Sequence, residues 1–230
     1  MNIRNFVDAF TRILGKLKKN HKVKLEGQSI KLNLGCGLAI YGDWINIDGS
    51  LNALIASCPG FVHRFMYRQS GANRYYSQEE YCQLLGQHRF IHHDLSYGIP
   101  TFDNSADFVY SSHFLEHLFR NDAQNLLNES LRILKPGGVV RICVPDLEYA
   151  VAQYSAGKKK AMLESYFFVD DDNSYYARHK YMYDFQMLQD LLILVGFRDI
   201  KRCEFQQGLT PDLDHLDNRS EDSLYVEAIK

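Results

Sequence analysis

No two cysteines in this chain are spaced as C-x-x-C, and the five present (Cys36, Cys58, Cys82, Cys143, Cys203) are scattered and odd in number. This argues against a zinc ribbon or a disulfide framework and makes a reducing compartment the expectation. Net charge is also nearly missing, at −2, so there is no global electrostatic case for nucleic acid as a partner. No apolar run approaches a membrane span, and the opening MNIRNFVDAF lacks the apolar core of a secretory signal. A cytoplasmic protein is expected. What is there is 46% hydrophobic and 23% charged residues over 230 positions, which suits one domain with a sizeable core.

Residues 3–19 place Ile3, Phe6, Val7, Phe10, Ile13, Leu14 and Leu17 at helical spacing, and Lys/Arg outnumber acids seven to one over residues 1–24. Residues 1–29 are therefore expected to hold an amphipathic helix packed on its own domain, with peripheral contact to an anionic membrane through 1–24 as the alternative. From Ile30 the period shortens. Strands are expected at 30–34, 44–48, 89–93, 106–110 and 139–144, with a helix starting near His113, another over about 121–134, and Lys135-Pro136-Gly137-Gly138 as a stop. Strands alternating with helices imply a mainly parallel sheet covered on both faces. After a helix at Phe185–Val195, the stretches 198–205 and 224–229 have no helical pattern between them, so they should pair antiparallel.

Leu32-Asn33-Leu34-Gly35-Cys36-Gly37 sets a glycine turn at the end of the first strand, where open α/β sheets bind ligands. Glycine there lets the backbone approach a ligand closely. Asp48, at the end of the next strand, can accept from both hydroxyls of a ribose, because a carboxylate is an acceptor only. Asp94 ends the third strand, placed to accept from an adenine amino group, with Leu95 beside it to pack on the ring. A glycine turn followed by two strand-end acids is a stronger signal than the turn alone.

The segments LNLGCG (32–37), WINIDGS (44–50), FIHHDLSYGIP (90–100), SADFVYSSHFLEHL (105–118) and RILKPGGVVRICVPDLE (132–148) resemble the methyltransferase type 11 group of class I S-adenosylmethionine-dependent methyltransferases. The tail is similar to that of members linked to surface-polysaccharide biosynthesis. The resemblance implies a Rossmann-like three-layer α/β sandwich, mostly parallel with an antiparallel C-terminal pair. It implies S-adenosyl-L-methionine as cofactor, lined by Asn33, Gly35, Cys36, Gly37, Asp48, Asp94 and Leu95, with Ser111 at its methionine end. Two features depart from the pattern. The turn lacks a third glycine, and six residues between Gly37 and Trp44 are too few for a crossover helix. The short turn also counts against a dinucleotide, whose pyrophosphate needs an intact helix N-terminus.

The methyltransferase domain is expected to span 30–230, with an insertion at about 51–88 and an acceptor-side cap at about 155–183. Aromatic and basic residues alternate in Phe61–Arg68 and Asn73–Tyr81, which suits either stacking on a sugar or base or an ordinary helical cap. On a helix, His113, Glu116 and His117 would share a face. H-x-x-E-H matches a zinc-peptidase pattern, but the surrounding strand order opposes that fold. No resident metal is expected, and the residues able to hold a divalent ion are His113, Glu116 and His117. Methyl transfer to a hydroxyl needs a base, and the candidates are His113, His117 and His179, with Asp146 less basic. The acceptor expected is a small molecule or glycan, and no nucleic-acid partner is expected. The different-class alternative is a degenerate methyltransferase fold serving only as a binding module. Oligomeric state is not legible.

Overall fold

The computed structural model describes Thr11, residues 13–167 and residues 178–230. Seven strands form one sheet: β1 (Lys31–Leu34), β2 (Ile45–Asp48), β3 (Arg89–His92), β4 (Ala106–Ser112), β5 (Leu134–Pro145), β6 (Arg198–Cys203) and β7 (Ser223–Ile229). Their spatial order is β3-β2-β1-β4-β5-β7-β6. The first five are parallel, and β7 lies antiparallel between β5 and β6. The order reverses between β1 and β4, which makes the C-terminal ends of these two strands the switch point.

The described helices are α1 (Leu51–Ile55), α2 (Gly60–Met66), α3 (Gln78–Gln87), α4 (Arg120–Ile133), α5 (Leu147–Ser155), α6 (Lys159–Tyr166), α7 (Phe185–Val195) and α8 (Leu213–Leu216), and residues 13–18 are also helical. Helix α7 starts where Asp184 accepts from the Met187 amide at 2.8 Å and ends at Gly196, whose φ of 110° suits glycine. Helix α3 starts with a reciprocal Ser77–Glu80 capping box.

The two faces of the sheet differ in chemistry. One carries Leu32, Leu34, Ile45, Ile47, Val109, Val140, Ile142, Val226 and Ala228, on which α4 and α7 bury Leu126, Leu127, Ile133, Leu188 and Leu192. Each fully buried aliphatic side chain here contributes about 1.5–3 kcal/mol of transfer free energy. On the opposite face, one register line runs Phe90–Asn46–Asn33–Tyr110–Arg141–Glu227–Lys201. Side chains in register share a face, so a polar seam crosses the sheet. Asn33 Nδ2 donates to Asn46 Oδ1 at 3.2 Å, and the Tyr110 hydroxyl donates to the Leu216 carbonyl at 2.9 Å. The Arg141 guanidinium, fully buried, reaches Asp217 at 2.5 Å and Glu227 at 3.2 Å.

No helix joins β1 to β2, as the six-residue gap requires. Instead the segment 204–217 covers that part of the sheet. Leu213 and Leu216 pack with Trp44, Tyr110 and Tyr225, and Tyr41 stacks on His215 at 3.8 Å. Lys31 and the Trp44 indole both donate to Asp212.

Three local expectations are corrected. No α-helix starts at His113: its φ is 49°, and only a 3-10 turn, Leu115–His117, follows before α4. Strand β5 begins at Leu134 and runs through Lys135–Gly138, so the stop signal ends α4 without opening a loop. Strand β6 ends at Cys203, two residues early, where 204–217 turns back over the seam. The expected helix over 3–19 lies largely outside the described residues, as do residues 168–177 of the expected acceptor-side cap.

Candidate functional site

The glycine turn leaves β1 with both glycines left-handed, Gly35 at φ 65° and Gly37 at φ 52°. Asp48, buried at the end of β2, clamps this turn. Its Oδ2 accepts from the Gly37 amide at 2.9 Å and its Oδ1 from the Ser50 amide at 2.7 Å. Asn33 supports the turn from beneath, donating to the Ala39 carbonyl at 2.9 Å. Ser111, buried at the end of β4, donates to the Leu34 carbonyl at 3.2 Å. Cys36 is buried beside the turn, and its burial raises its thiol pKa well above the usual value, so the sulfur stays protonated.

Gly35 has a neighbour that the sequence did not reveal. A Cβ there would lie 2.1 Å from the Phe114 ring, whereas a Cβ on Gly37 would meet nothing within 4 Å. Glycine at 35 is thus required by a ring of the protein itself, and glycine at 37 leaves room above the turn. At the end of β3, Asp94 Oδ1 accepts from the Ser96 amide and hydroxyl, and Leu95 is buried. Helical residues 13–18 cross here, placing the position of a Gly15 Cβ 2.8 Å from Asp94 Cβ. Asn33, Gly35, Cys36, Gly37, Asp48, Asp94, Leu95 and Ser111 therefore all lie along the C-terminal strand edge, several of them already bonded to backbone.

Immediately past β4 the chemistry changes. His113, left-handed, donates its amide to the Cys143 carbonyl at 2.9 Å, and its Nε2 sits 3.0 Å from Ser223 Oγ. Glu116 is 1% exposed, and neither of its carboxylate oxygens has a hydrogen-bond partner. His113 Nδ1 stands 3.3 Å from Oε1 and His117 Nε2 stands 3.9 Å from it. His179 comes from a distant segment and packs edge-on to His117 at 5.0 Å. The Glu116 carbonyl fixes that segment by accepting from the Lys180 amide at 2.7 Å and the Tyr181 amide at 3.2 Å. Burial pushes the His179 imidazolium down, favouring the neutral ring. All three candidate bases thus converge on one buried carboxylate. Asp146 is instead paired with Arg202 at 2.7 Å.

A cleft of about 500 Å³ is lined by Tyr149, Gln153, Lys158, Tyr166, Arg219 and Asp222, and Tyr166 links it to the cluster because its carbonyl oxygen lies 2.7 Å from His179 Nδ1. A second, of about 450 Å³, lies between residues 19–22 and the start of the loop after β3. Neither is lined by the glycine turn. In the insertion, Phe61, Phe65 and Tyr75 are exposed, while Tyr67 and Tyr81 pack inside its own small cluster.

Residues 32–142 match the methyltransferase domain family. That match spans the glycine turn, both strand-end acids and His113, Glu116 and His117, but not His179. Over the whole chain, the structure is similar to a S-adenosylmethionine-dependent methyltransferase from Archaeoglobus fulgidus, at 16% identity and a TM-score of 0.50, covering 99% of this chain and 94% of that one. It is also similar to a possible histamine N-methyltransferase from Thermotoga maritima, at 17% identity and a TM-score of 0.51, covering 99% and 97%. A possible exported protein from Bordetella parapertussis gives 14% identity and a TM-score of 0.52, covering 98% and 67%. At such identities the likeness is one of fold. No curated protein matches the sequence. The fold is the Rossmann-like sandwich of S-adenosylmethionine-dependent methyltransferases, and S-adenosylmethionine is the cofactor that goes with it.

The residues at the strand ends suit that cofactor. The space above Gly37 is open, and each Asp48 oxygen, having accepted one amide, keeps a lone pair for a ribose hydroxyl. Sequence reasoning found the imidazoles and the acid but not what orients them. The carbonyls of Tyr166 and Arg178 that hold His179 and His117 leave no trace in side-chain identity.

Proposed function

We propose that the chain is an S-adenosylmethionine-dependent O-methyltransferase acting on a small molecule or glycan in the cytoplasm. One observation carries the reading. The Phe114 ring lies against Gly35, so the imidazole cluster around Glu116 is contiguous with the cofactor turn. When bound, the sulfonium supplies an electrophilic methyl group for in-line displacement. The chain's part is to hold the ribose at Asp48, align the acceptor, exclude water, and take a hydroxyl proton at His113, His117 or His179. The mixed-charge cleft beside Tyr166 is the acceptor side on this reading, and its polar lining suits a hydroxyl-rich molecule such as those of surface-polysaccharide biosynthesis. Among the described residues no helix is long and apolar enough to cross a membrane. Ile13 and Leu17 are exposed beside Lys16, which supports peripheral membrane contact by the N-terminal segment.

The second reading, a binding module without catalysis, draws on the same crevice: helical residues 13–18 lie on Asp94 and Phe114 fills the space at Gly35. Thermal unfolding with cofactor separates the two. S-adenosylhomocysteine and S-adenosylmethionine should each raise the midpoint by several degrees at saturation, and Asp48→Ala should abolish the shift. A flat response to both ligands would remove the enzyme reading.

A further inference from the structure

Among the described residues, Glu116 is the buried carboxylate without a hydrogen-bond partner on either oxygen. A carboxylate that is 1% exposed and without a hydrogen bond on either oxygen is costly, because its desolvation is not offset. Its surroundings look toward it in a particular way. His179 Nδ1 lies 2.7 Å from the Tyr166 carbonyl oxygen, and His117 Nδ1 lies 3.2 Å from the Arg178 carbonyl oxygen. A carbonyl only accepts, so both Nδ1 atoms carry the proton, and in a neutral ring Nε2 is then left with a free lone pair. His117 Nε2 faces Glu116 Oε1 at 3.9 Å, and one donor atom each from Glu116, His117 and His179 lies within 4.8 Å of the others. A ring N–H donated to a backbone carbonyl, leaving the other nitrogen's lone pair free to bind an ion, is the orienting arrangement that metal-bound histidines use.

We propose that Glu116, His117 and His179 bind one divalent first-row cation. The residue set differs from the sequence expectation: His179 joins Glu116 and His117 in the three-donor group, while His113 keeps its Nδ1 3.3 Å from Glu116 Oε1 and turns its Nε2 to Ser223. Two nitrogens and one carboxylate suit Zn²⁺ or its neighbours rather than Mg²⁺ or Ca²⁺, which take mostly oxygen. Two donors about 2.1 Å from one tetrahedral ion are about 3.4 Å apart, and the donor atoms here lie within 4.8 Å of one another, so the widest pair draws in by up to about 1.4 Å on binding. Three protein ligands leave at least one coordination position open for another ligand. On the methyltransferase reading, an acceptor hydroxyl held there would ionise more readily, and His113, the imidazole outside the three-donor group, would be left to take its proton.

The test reads the ion and not turnover. The untagged full chain, stripped by chelator, is titrated with Zn²⁺ against a chromophoric competitor, and with Co²⁺ alone by absorption. One equivalent should bind, with Glu116→Gln and His179→Gln each weakening affinity at least tenfold and His215→Gln, an imidazole outside the cluster, leaving it unchanged. Co²⁺ should give visible bands without the near-ultraviolet thiolate charge transfer that a cysteine site would show. Absence of stoichiometric binding, a thiolate band, or affinity untouched in folded E116Q and H179Q chains would overturn the proposal. If the variants do not fold, the wild-type Co²⁺ spectrum alone decides it. Loss of the ion leaves the cofactor-induced thermal shift intact, so the two readings fail separately.

Discussion

Two buried carboxylate clusters sit on this sheet, and they are finished to different degrees. In the Arg141 cluster every charge is answered. Asp217 and Glu227 share the guanidinium, Asp217 also accepts from the Gln206 amide at 2.9 Å, and Glu227 accepts from the Leu209 and Thr210 amides at 2.7 and 3.0 Å. The Glu116 cluster is just as buried, yet its carboxylate oxygens accept no hydrogen bond. A satisfied network rigidifies and specifies structure, while an unsatisfied one at a strand edge marks a place where something is to bind. The Arg141 cluster pins segment 204–217 to the sheet, and the Glu116 cluster is joined to the cleft through Tyr166, whose carbonyl holds His179.

The comparison can be broken by measurement. The largest effect should come from Arg141→Ala, which strands two buried carboxylates and should cost about 3–5 kcal/mol in urea unfolding. A cost under about 1 kcal/mol would show that the cluster is not structural. Acid comes next. Burial pushes the His92 and His93 imidazoliums down, as it does that of His179. The unfolded chain therefore takes up protons at about pH 6.5 that the folded chain refuses. Stability present above that pH should be lost as pH falls through the depressed folded values, with a ceiling of about 1.4 kcal/mol per pH unit for each histidine. Guanidinium does not titrate in this window, so the strand-end histidines should respond before the Arg141 cluster does. A stability curve flat between pH 7 and pH 5 would contradict this. The smallest effect should be Glu116→Gln in the metal-free chain, neutral or stabilising by up to about 1 kcal/mol, since it removes an unanswered charge. Destabilisation on the scale of Arg141→Ala would erase the distinction between the clusters.

How much was legible depends on how far each signal reaches along the chain. Helix α7 was readable to the residue, because Gly196 and the apolar period lie within one window. The glycine turn, Asp48 and Asp94 were readable because strand ends repeat in order along the sequence. His113 was misplaced on a helix because a left-handed φ at a non-glycine residue is set by what the chain packs against, not by its own side chain. His179 entered as a candidate base but not as a partner of Glu116, since that contact spans more than sixty residues. The polar seam went unread for a similar reason. Asn33, Asn46, Arg141 and Glu227 each look like an isolated polar residue in an apolar strand, and only cross-strand register puts them side by side.

That seam also imposes an order of events on a chain emerging from the ribosome. Arg141 is made well before Asp217 and Glu227, and until those arrive its charge has no place in a closed interior. The parallel strands can gather early, but the face bearing the seam has to stay wet and unsealed. Slipping any strand by one residue would throw its seam side chain among the leucines and isoleucines of the other face. Strand β7, made after the parallel strands and carrying Glu227, therefore works as a latch that closes over Arg141.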